Sequence, residues 1–226
     1  MRERPILFSA PMVRAILGGA KTQTRRTVKQ IAAFADMARD VRDDRALRGW
    51  KELAPNHLVQ PSPYGKAGDR LWVKETWRPH VAIRCAMDAC DGSGVDVVYA
   101  ANGKCRFFPD REIARSNPGW RLPKAAERGN VSPLFMPRWA CRLLLEVRDV
   151  RVERLHSISE EDAIAEGIDG PLCAELSANT PWADRVAPAA VHAYAALWDR
   201  INGAGAWCAN PWVWVVDFKR VTDIHD

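Results

Sequence analysis

The chain has 226 residues, 47% of them apolar, and its 33 basic and 28 acidic side chains give a net charge of +5. That size and apolar fraction allow a substantial hydrophobic core, so we expect a single domain over residues 1–226. No stretch reaches the roughly 18 apolar residues of a membrane-spanning helix. The charged N-terminus also lacks the apolar segment of a secretory signal. We therefore expect a cytoplasmic protein without a membrane partner. The modest positive charge is compatible with a polyanionic partner but does not require one.

The N-terminal residues predict a short strand followed by a helix. Ile6 to Phe8 form the strand, and Ser9 is placed to cap the helix. Apolar residues then recur at helical spacing as far as Leu17. The Gly18-Gly19 pair is expected to end the helix, because glycine adopts the sharp turns that other residues avoid.

A dense group of cations and hydroxyls follows that glycine pair, from Lys21 to Arg26. Arg25 and Arg26 carry forked donors suited to phosphates or carboxylates. Lys21 and Thr24 face the same side in a turn but opposite sides in a straight strand. The stretch lacks the spacing of a Walker loop. On its own it is also compatible with a solvated strand start.

The next clear strand signal covers residues 70–77. Leu71, Val73, Glu75 and Trp77 share one face of it. An acidic residue on an apolar face is unusual, so we expect Glu75 either to cap a barrel end, to pair with an arginine, or to line a binding pocket.

Two stretches look like insertions, at about 27–66 and 79–130. The first contains only a weak helical pattern and a proline-rich loop. In the second we expect a turn at 91–94, a strand over 95–101, a hairpin turn at Asn102-Gly103 and an irregular loop beyond 109. This decorated insertion is where we expect specificity to reside.

The C-terminal half predicts two further strands and two helices. A long strand runs from Cys141 to Arg154, and its apolar alternation changes phase near Arg148. A short helix over 159–166 has Ser159 as its cap. A second helix over 190–202 carries a stripe of Val191, Tyr194, Trp198 and Ile201. A loop over 168–187 separates the two helices, and a strand over 212–218 closes the chain.

The cysteines give little support for a metal site. Four residues separate Cys85 from Cys90, and His80 and Cys105 lie nearby, but this spacing misses the usual zinc-ligand pairs. Reduced, mostly buried thiols are the more economical interpretation. We find no cofactor motif, so we expect neither a cofactor nor a metal.

Six blocks along the chain resemble the ASCH domain, in particular its larger, tryptophan-rich members in phages and prophages. They are Pro5–Ser9, Ile16–Arg26, Gly68–Trp77, Met136–Ala140, Ile158–Gly167 and Asn210–Phe218. The resemblance implies an α+β fold built on a PUA-like β-barrel, with flanking helices and the decorated insertion. We expect strands 71–77, 141–154 and 212–218 in that barrel. The resemblance also implies RNA or a modified nucleoside as partner.

Some ASCH relatives are amidohydrolases of N4-acetylcytidine. Their catalytic set is a lysine, a threonine three residues later and a glutamate on a following short helix. The resemblance places this set on Lys21, Thr24 and Glu166. The match of Glu166 depends on aligning the short helix by its first and last residues, the cap Ser159 and the terminating Gly167. The chain is longer than these enzymes and carries the 79–130 insertion.

Within that set, threonine would act as nucleophile once a base removes its proton. Lysine is a base only when neutral, which burial and neighbouring cations favour. Glu166 would either shuttle a proton or hold the substrate amine. The sequence does not decide between these two roles.

The other candidate residues would bind substrate or nucleic acid. Arg25, Arg26 and Arg138 would clamp phosphate, and Trp77 or Trp139 would stack on a base, with core packing as the alternative for Trp139. Glu75 would line the pocket. Two other functions stay open, a non-catalytic RNA or nucleotide reader and a ribonuclease.

Overall fold

The computed structural model describes residues 1–28, 62–86, 89–168 and 189–221, with the backbone alone for 84–86 and 89–91. These ranges contain α-helices and β-strands. The strands are β1 (Glu3–Leu7), β2 (Gln23–Thr27), β3 (Arg70–Lys74), β4 (Trp77–Ala86), β5 (Ala89–Tyr99), β6 (Cys105–Pro109), β7 (Leu144–Arg154) and β8 (Trp212–Val221). The helices are α1 (Ala10–Leu17), α2 (Asp110–Ser116), α3 (Glu160–Ala165) and α4 (Ala189–Asn202).

The strands form two sheets. The larger has five strands in the order β1-β3-β7-β8-β2, and the smaller has three in the order β4-β5-β6. β1 pairs with β3 in parallel, whereas β3–β7 and β2–β8 are antiparallel. The α+β class is therefore confirmed. The strands expected around 71–77, 141–154 and 212–218 supply β3, β7 and β8 of one sheet.

The strand predicted over 70–77 is divided. β3 ends at Lys74, and Trp77 begins β4 in the three-stranded sheet. Leu71, Val73, Glu75 and Trp77 are nevertheless all buried. The alternation of side chains thus continues while the chain changes its hydrogen-bonding partners, a change that periodicity alone does not reveal.

The 79–130 stretch is more regular than expected. The turn predicted at 91–94 lies inside β5, and residues beyond 109 form α2 and a short 3-10 helix, Lys124–Arg128. A Cβ at Gly94 would collide with the ring of Phe107 and the carbonyl oxygen of Phe108. Gly94 therefore permits a close approach of β6 instead of making a turn. The hairpin turn at Asn102-Gly103 is confirmed, with Gly103 at φ +70.

The predicted helix caps are present, but only one uses its side chain. Ser159 and Asp162 form a capping box, in which the Asp162 N–H donates to Ser159 Oγ over 3.1 Å. Ser9 caps α1 without a side-chain hydrogen bond. On α4, Tyr194 and Trp198 are buried as predicted, whereas Ile201 is 55% exposed.

The chain divides into two compact units. The first comprises Met1–Thr22, Gly68–Val147 and Phe218–Asp226, and the second comprises Gln23–Ala67 and Arg148–Asp217. A core of the first unit gathers Trp77, Val97, Tyr99, Phe108 and Met136. A core of the second packs Leu155, Ala193, Tyr194, Trp198 and Val215 together. One division between the units falls after Val147, where the alternation of β7 was predicted to change phase.

Parts of two predicted segments lie outside the described residues. These are 29–61, within the insertion expected over 27–66, and 169–187, within the expected 168–187 loop. Among the helices of the described ranges, none has both the length and the apolar character needed to cross a membrane.

Candidate active site

Buried polar side chains concentrate in the motif that follows α1. Seven polar or charged residues are buried in the described part of the chain, and four of them are Lys21, Gln23, Thr24 and Arg25. Burying such groups costs free energy unless each is paired or hydrogen-bonded. Groupings of this kind are typical of functional sites, although structural ion pairs also produce them.

Lys21 belongs to the first unit and is 2% exposed. Gly19, at φ +80, forms the turn that ends α1, and the Lys21 N–H then bonds to the carbonyl of Ala15 over 3.1 Å. The amino group lies 5.7 Å from the ring centroid of Phe8, which packs against Phe218. The predicted glycine stop thus delivers Lys21 to an apolar, aromatic setting.

Thr24 lies on β2 in the second unit and has no exposed surface. In the regular β2–β8 pairing, Thr24 is opposite Val216 and Arg25 is opposite Val215. Neighbouring side chains on a strand point to opposite faces, so Thr24 and Arg25 face away from each other. Among the described residues, Thr24 Oγ1 is buried without a hydrogen-bond partner.

Arg25 is the centre of a buried charge cluster within the second unit. Its Nη2 lies 2.7 Å from Asp162 Oδ2 and 3.6 Å from Glu153 Oε2, and its Nη1 lies 3.7 Å from Glu166 Oε1. It also donates to the side-chain oxygen of Gln23. The Arg25 guanidinium has no exposed side-chain surface and faces three carboxylates, so its described contacts make it the centre of an ion-pair cluster. Phosphate clamping by Arg25 stays a prediction.

Glu166 receives a second contact from α4. The Tyr194 hydroxyl donates to Glu166 Oε1 over 3.2 Å, and both residues are buried. Burial, followed by the charge of Glu166, raises the pKa of Tyr194 well above 10.0. The phenol therefore stays protonated and remains a donor. Arg25 and Tyr194 together fix the position of one carboxylate oxygen.

Asp162 connects the cluster to the start of α3. Burial alone would raise its pKa, but hydrogen bonds from Gln23 and the charge of Arg25 outweigh that effect and lower the pKa below 3.8. The Gln23 amide donates to Asp162 Oδ1 over 2.9 Å and to Asp217 over 2.7 Å. Arg151 adds a further cation, bonded to Glu153 and Asp217. Sequence reasoning assigned neither Gln23 nor Asp162 to this cluster.

Glu75 takes one of the predicted alternatives, pairing with an arginine. Both of its carboxylate oxygens lie 2.8 Å from Arg142, from Nε and Nη2 respectively. Arg142 also stacks 4.0 Å from the ring centroid of Tyr99 and donates to Asn102 over 3.0 Å. Arg142 was not predicted as the partner of Glu75. The one signal for such a partner in the sequence is that a buried carboxylate requires a nearby cation.

The predicted aromatic and arginine ligand-binding residues of the first unit differ in accessibility. Trp77 is 0% exposed and lies in the core of the first unit, and its stacking on a base stays a prediction. Arg138 has 37% of its side chain exposed and bonds to Glu3 over 2.8 Å. Arg138 and Trp139 line an open cleft of about 260 Å³ with Ser116 and Asn117.

Arg26, on β2 after Arg25, is only partly buried, and its Nη1 donates to the Arg25 carbonyl over 3.3 Å. The described contacts bring Glu166 to Arg25 and Tyr194. Lys21 belongs to one unit and Thr24 and Glu166 to the other, and the convergence of these three on one pocket stays a prediction.

No group of three or more His, Cys, Asp or Glu residues in the described ranges is arranged to hold a metal ion. Cys105 and Cys208 are exposed, and Cys141 is a buried thiol. Burial raises the pKa of the Cys141 thiol to about 11. The side chains of Cys85 and Cys90 lie outside the described residues.

Comparison with protein-family models, curated proteins and solved structures finds no match to this chain. The resemblance to the ASCH domain therefore rests on the sequence blocks alone.

Proposed function

We propose that this protein is an ASCH-type amidohydrolase that removes an N-acyl group from a cytidine-type base in a nucleoside or in RNA. Thr24 is the nucleophile, Lys21 the base and Glu166 the acid/base partner. The observation that carries the proposal is the burial of Thr24 Oγ1 without a hydrogen-bond partner among the described residues, in the same motif as the buried Lys21. A buried hydroxyl without a partner costs free energy, which a role in catalysis explains.

The chemistry requires two acyl transfers. Neutral Lys21 takes the Thr24 proton while Oγ1 attacks the acyl carbonyl carbon. The C–N bond then breaks, and the leaving amine takes a proton to give the free cytosine amino group. Water next attacks the threonine ester, which releases the carboxylic acid and restores the hydroxyl. Neither step needs a redox partner.

The contacts of Glu166 support a positioned carboxylate. A general acid or base must be held within hydrogen-bonding reach of the atom it serves. Arg25 and Tyr194 restrain Oε1 in a buried setting, where the rotamer is fixed by charge and hydrogen bonding. The positive charge of Arg25 and the hydroxyl donor of Tyr194 act together on this one oxygen. Because Arg25 faces away from Thr24 on β2, the approach of Glu166 to Thr24 is part of the proposal, and its two predicted roles, proton shuttle and anchor for the substrate amine, both stay open.

The fold proposed with this function is a PUA-like barrel formed around the five-stranded sheet. Its support is the sheet order β1-β3-β7-β8-β2, in which β1–β3 is parallel and β3–β7 and β2–β8 are antiparallel, together with the helices α1, α3 and α4.

The deciding experiment is a panel of N-acylated nucleosides, with N4-acetylcytidine first, followed by mass spectrometry. We expect wild type to lose the acyl group and Lys21→Ala to be slower by about 10²–10⁴-fold, the usual effect of removing a general base. Lys104→Ala is the matched control, because it removes an exposed lysine of the same unit. Equal rates for Lys21→Ala and Lys104→Ala would remove Lys21 from the mechanism.

A non-catalytic reader is the second candidate, favoured by the exposed guanidinium of Arg138 and the net charge of +5. In that case wild type would bind RNA with a steep salt dependence and turn over none of the panel. The accessible contacts would be Arg26 and Arg138 instead of Arg25.

A further inference from the structure

The open cleft of the first unit is lined by an indole, a guanidinium, an amide and a hydroxyl, from Trp139, Arg138, Asn117 and Ser116. We propose that this cleft binds a single nucleotide, with the base against Trp139 and the phosphate on Arg138. The inference rests on the proposed function for the choice of cytosine as the base. The binding itself does not require hydrolysis by Thr24.

Trp139 is held in a fixed orientation. Three aromatic rings meet it edge-on, with centroids 6.2 Å away for Trp77 and 5.0 Å for Phe108 and Trp120. Trp139 itself stays partly exposed where it lines the cleft. A pre-oriented indole loses little conformational entropy when a flat ring stacks on it, which is how proteins bind unpaired bases.

Arg138 is oriented by one contact that leaves most of its donors unused. Its Nε donates to Glu3 Oε2, and the guanidinium makes no other hydrogen bond or ion pair among the described residues. The two terminal nitrogens can therefore donate to a phosphate in the forked geometry that arginine favours. Trp139 follows Arg138 directly in the chain, so the stacking and phosphate-binding groups are neighbours.

The chain segment that supplies Ser116, Asn117 and Arg138 is basic, while Glu3, which pairs with Arg138, is acidic. Residues 106–138 contain seven basic and three acidic side chains, a net charge of +4 in a chain whose total is +5. The exposed Asn117 amide offers a donor and an acceptor for the edge of a base. Ser116 Oγ already donates to carbonyls of α2, which leaves it as an acceptor.

The cleft is small and open. At about 260 Å³ it is smaller than the roughly 300–1,000 Å³ pockets that enclose drug-sized molecules, so a ligand bound here is only partly enclosed. The proposed occupant is one nucleotide unit that contacts Trp139 and Arg138, either a free mononucleotide or one residue of a single-stranded RNA.

The test compares the binding of three probes, cytidine, cytidine 5′-monophosphate and a short single-stranded oligocytidylate, by calorimetry or fluorescence anisotropy. We expect Arg138→Gln to weaken the monophosphate and the oligonucleotide by about ten-fold or more, the effect of losing a charged hydrogen bond. Cytidine, which lacks the phosphate, should be affected less than two-fold. Arg148→Gln is the control, because it removes an equal charge from an exposed position in the other unit.

Trp139→Leu should weaken all three probes by about five-fold or more. Since Trp139 also packs on three rings, this variant is judged only if circular dichroism shows a folded protein, and Arg138→Gln decides the case otherwise. If only the oligonucleotide binds tightly, the ligand is RNA. If the monophosphate binds as tightly as the oligonucleotide, the ligand is a free nucleotide. Either result supports nucleotide binding in the cleft, provided that Arg138→Gln weakens the binding.

The inference is overturned if Arg138→Gln weakens the monophosphate and oligonucleotide no more than Arg148→Gln does, or if none of the probes binds wild type. Deacylation of N4-acetylcytidine is measured on the same samples. If the protein hydrolyses N4-acetylcytidine but Arg138→Gln does not weaken binding, only the nucleotide-binding cleft is contradicted. If binding depends on Arg138 but no hydrolysis occurs, only the proposed hydrolase is contradicted.

Discussion

The Tyr194 hydroxyl donates a hydrogen bond to Oε1 of Glu166 over 3.2 Å, and both side chains are buried. Arg25 Nη1 lies 3.7 Å from the same oxygen. A single carboxylate oxygen therefore receives a neutral donor from α4 and a positive charge from β2. The position of Glu166 depends on both elements, and each contact can be removed separately.

Tyr194→Phe should lower the free energy of unfolding by about 1.5–3 kcal/mol, because it removes a buried hydrogen bond to a charged group. Urea denaturation measures this change. Tyr99→Phe is the matched control, since its buried hydroxyl donates to the neutral carbonyl of Ala140 over 2.9 Å. That control should cost only about 0.5–1.5 kcal/mol. Equal costs for the two variants would contradict a charged hydrogen bond at Glu166.

Arg25→Gln should be strongly destabilising, by about 3–5 kcal/mol, because it removes the buried cation beside Glu166, whereas Glu153 and Asp162 keep Arg151 nearby. Arg26→Gln removes the same charge from a partly exposed neighbour and should cost less than about 1 kcal/mol. Thermal and urea unfolding of the two variants provide the comparison. A mildly destabilised Arg25→Gln variant with reduced phosphate binding would contradict the ion-pair role and support phosphate binding by Arg25.

Asp162 should make stability depend on pH. Its pKa is lowered in the folded protein, so its stabilising effect is present above the ordinary value of 3.8 and is lost as the pH falls through that value and below. Unfolding measured between about pH 6 and 3 should therefore show a weaker pH dependence for Asp162→Asn than for wild type. Asp149→Asn, an exposed carboxylate on the same unit, should leave the slope close to that of wild type.

Local sequence patterns predicted the helices and strands of this fold better than they predicted which strands pair with each other. The glycine stop after α1 and the Ser159 cap follow from chemistry within a few residues, and both are present. The division of the 70–77 strand depends on which distant strand each half pairs with. Gly94 was predicted to lie in a turn, whereas it lies in β5, where the absence of a side chain lets β6 approach closely.

The candidate site follows the same rule. The motif from Lys21 to Arg25 was identified from its composition, and its burial fits a site. The ion pairs of Arg25 were not predicted, because Asp162 and Glu153 come from other elements that tertiary folding brings to it. Tyr194 was predicted only as part of an apolar stripe. Its hydroxyl donates a hydrogen bond to Glu166, a contact that the apolar stripe does not predict.

Arg142→Gln should destabilise the first unit by about 3–5 kcal/mol, since Glu75 is 1% exposed and would lose its bidentate partner. The double variant Glu75→Gln/Arg142→Gln should recover part of that loss, because it leaves no buried charge uncompensated. Urea unfolding of the two single variants and the double variant forms a complete cycle. An additive double variant would show that the two side chains do not interact.

Thr24→Val tests stability and function with one substitution. Valine keeps the shape of threonine but deletes a hydroxyl that is buried without a partner among the described residues. The folded protein should therefore become more stable, by about 1 kcal/mol, because an unsatisfied polar group no longer has to be buried. The same variant should lose N4-acetylcytidine hydrolysis, since the nucleophile is gone. Thr27→Val, an exposed position on the same strand, should change neither property appreciably.

A stabilised and inactive Thr24→Val fits a residue retained for chemistry at the expense of stability. A destabilised variant would mean that the hydroxyl has a structural partner, and full activity would replace Thr24 with a water activated by Lys21 or Glu166.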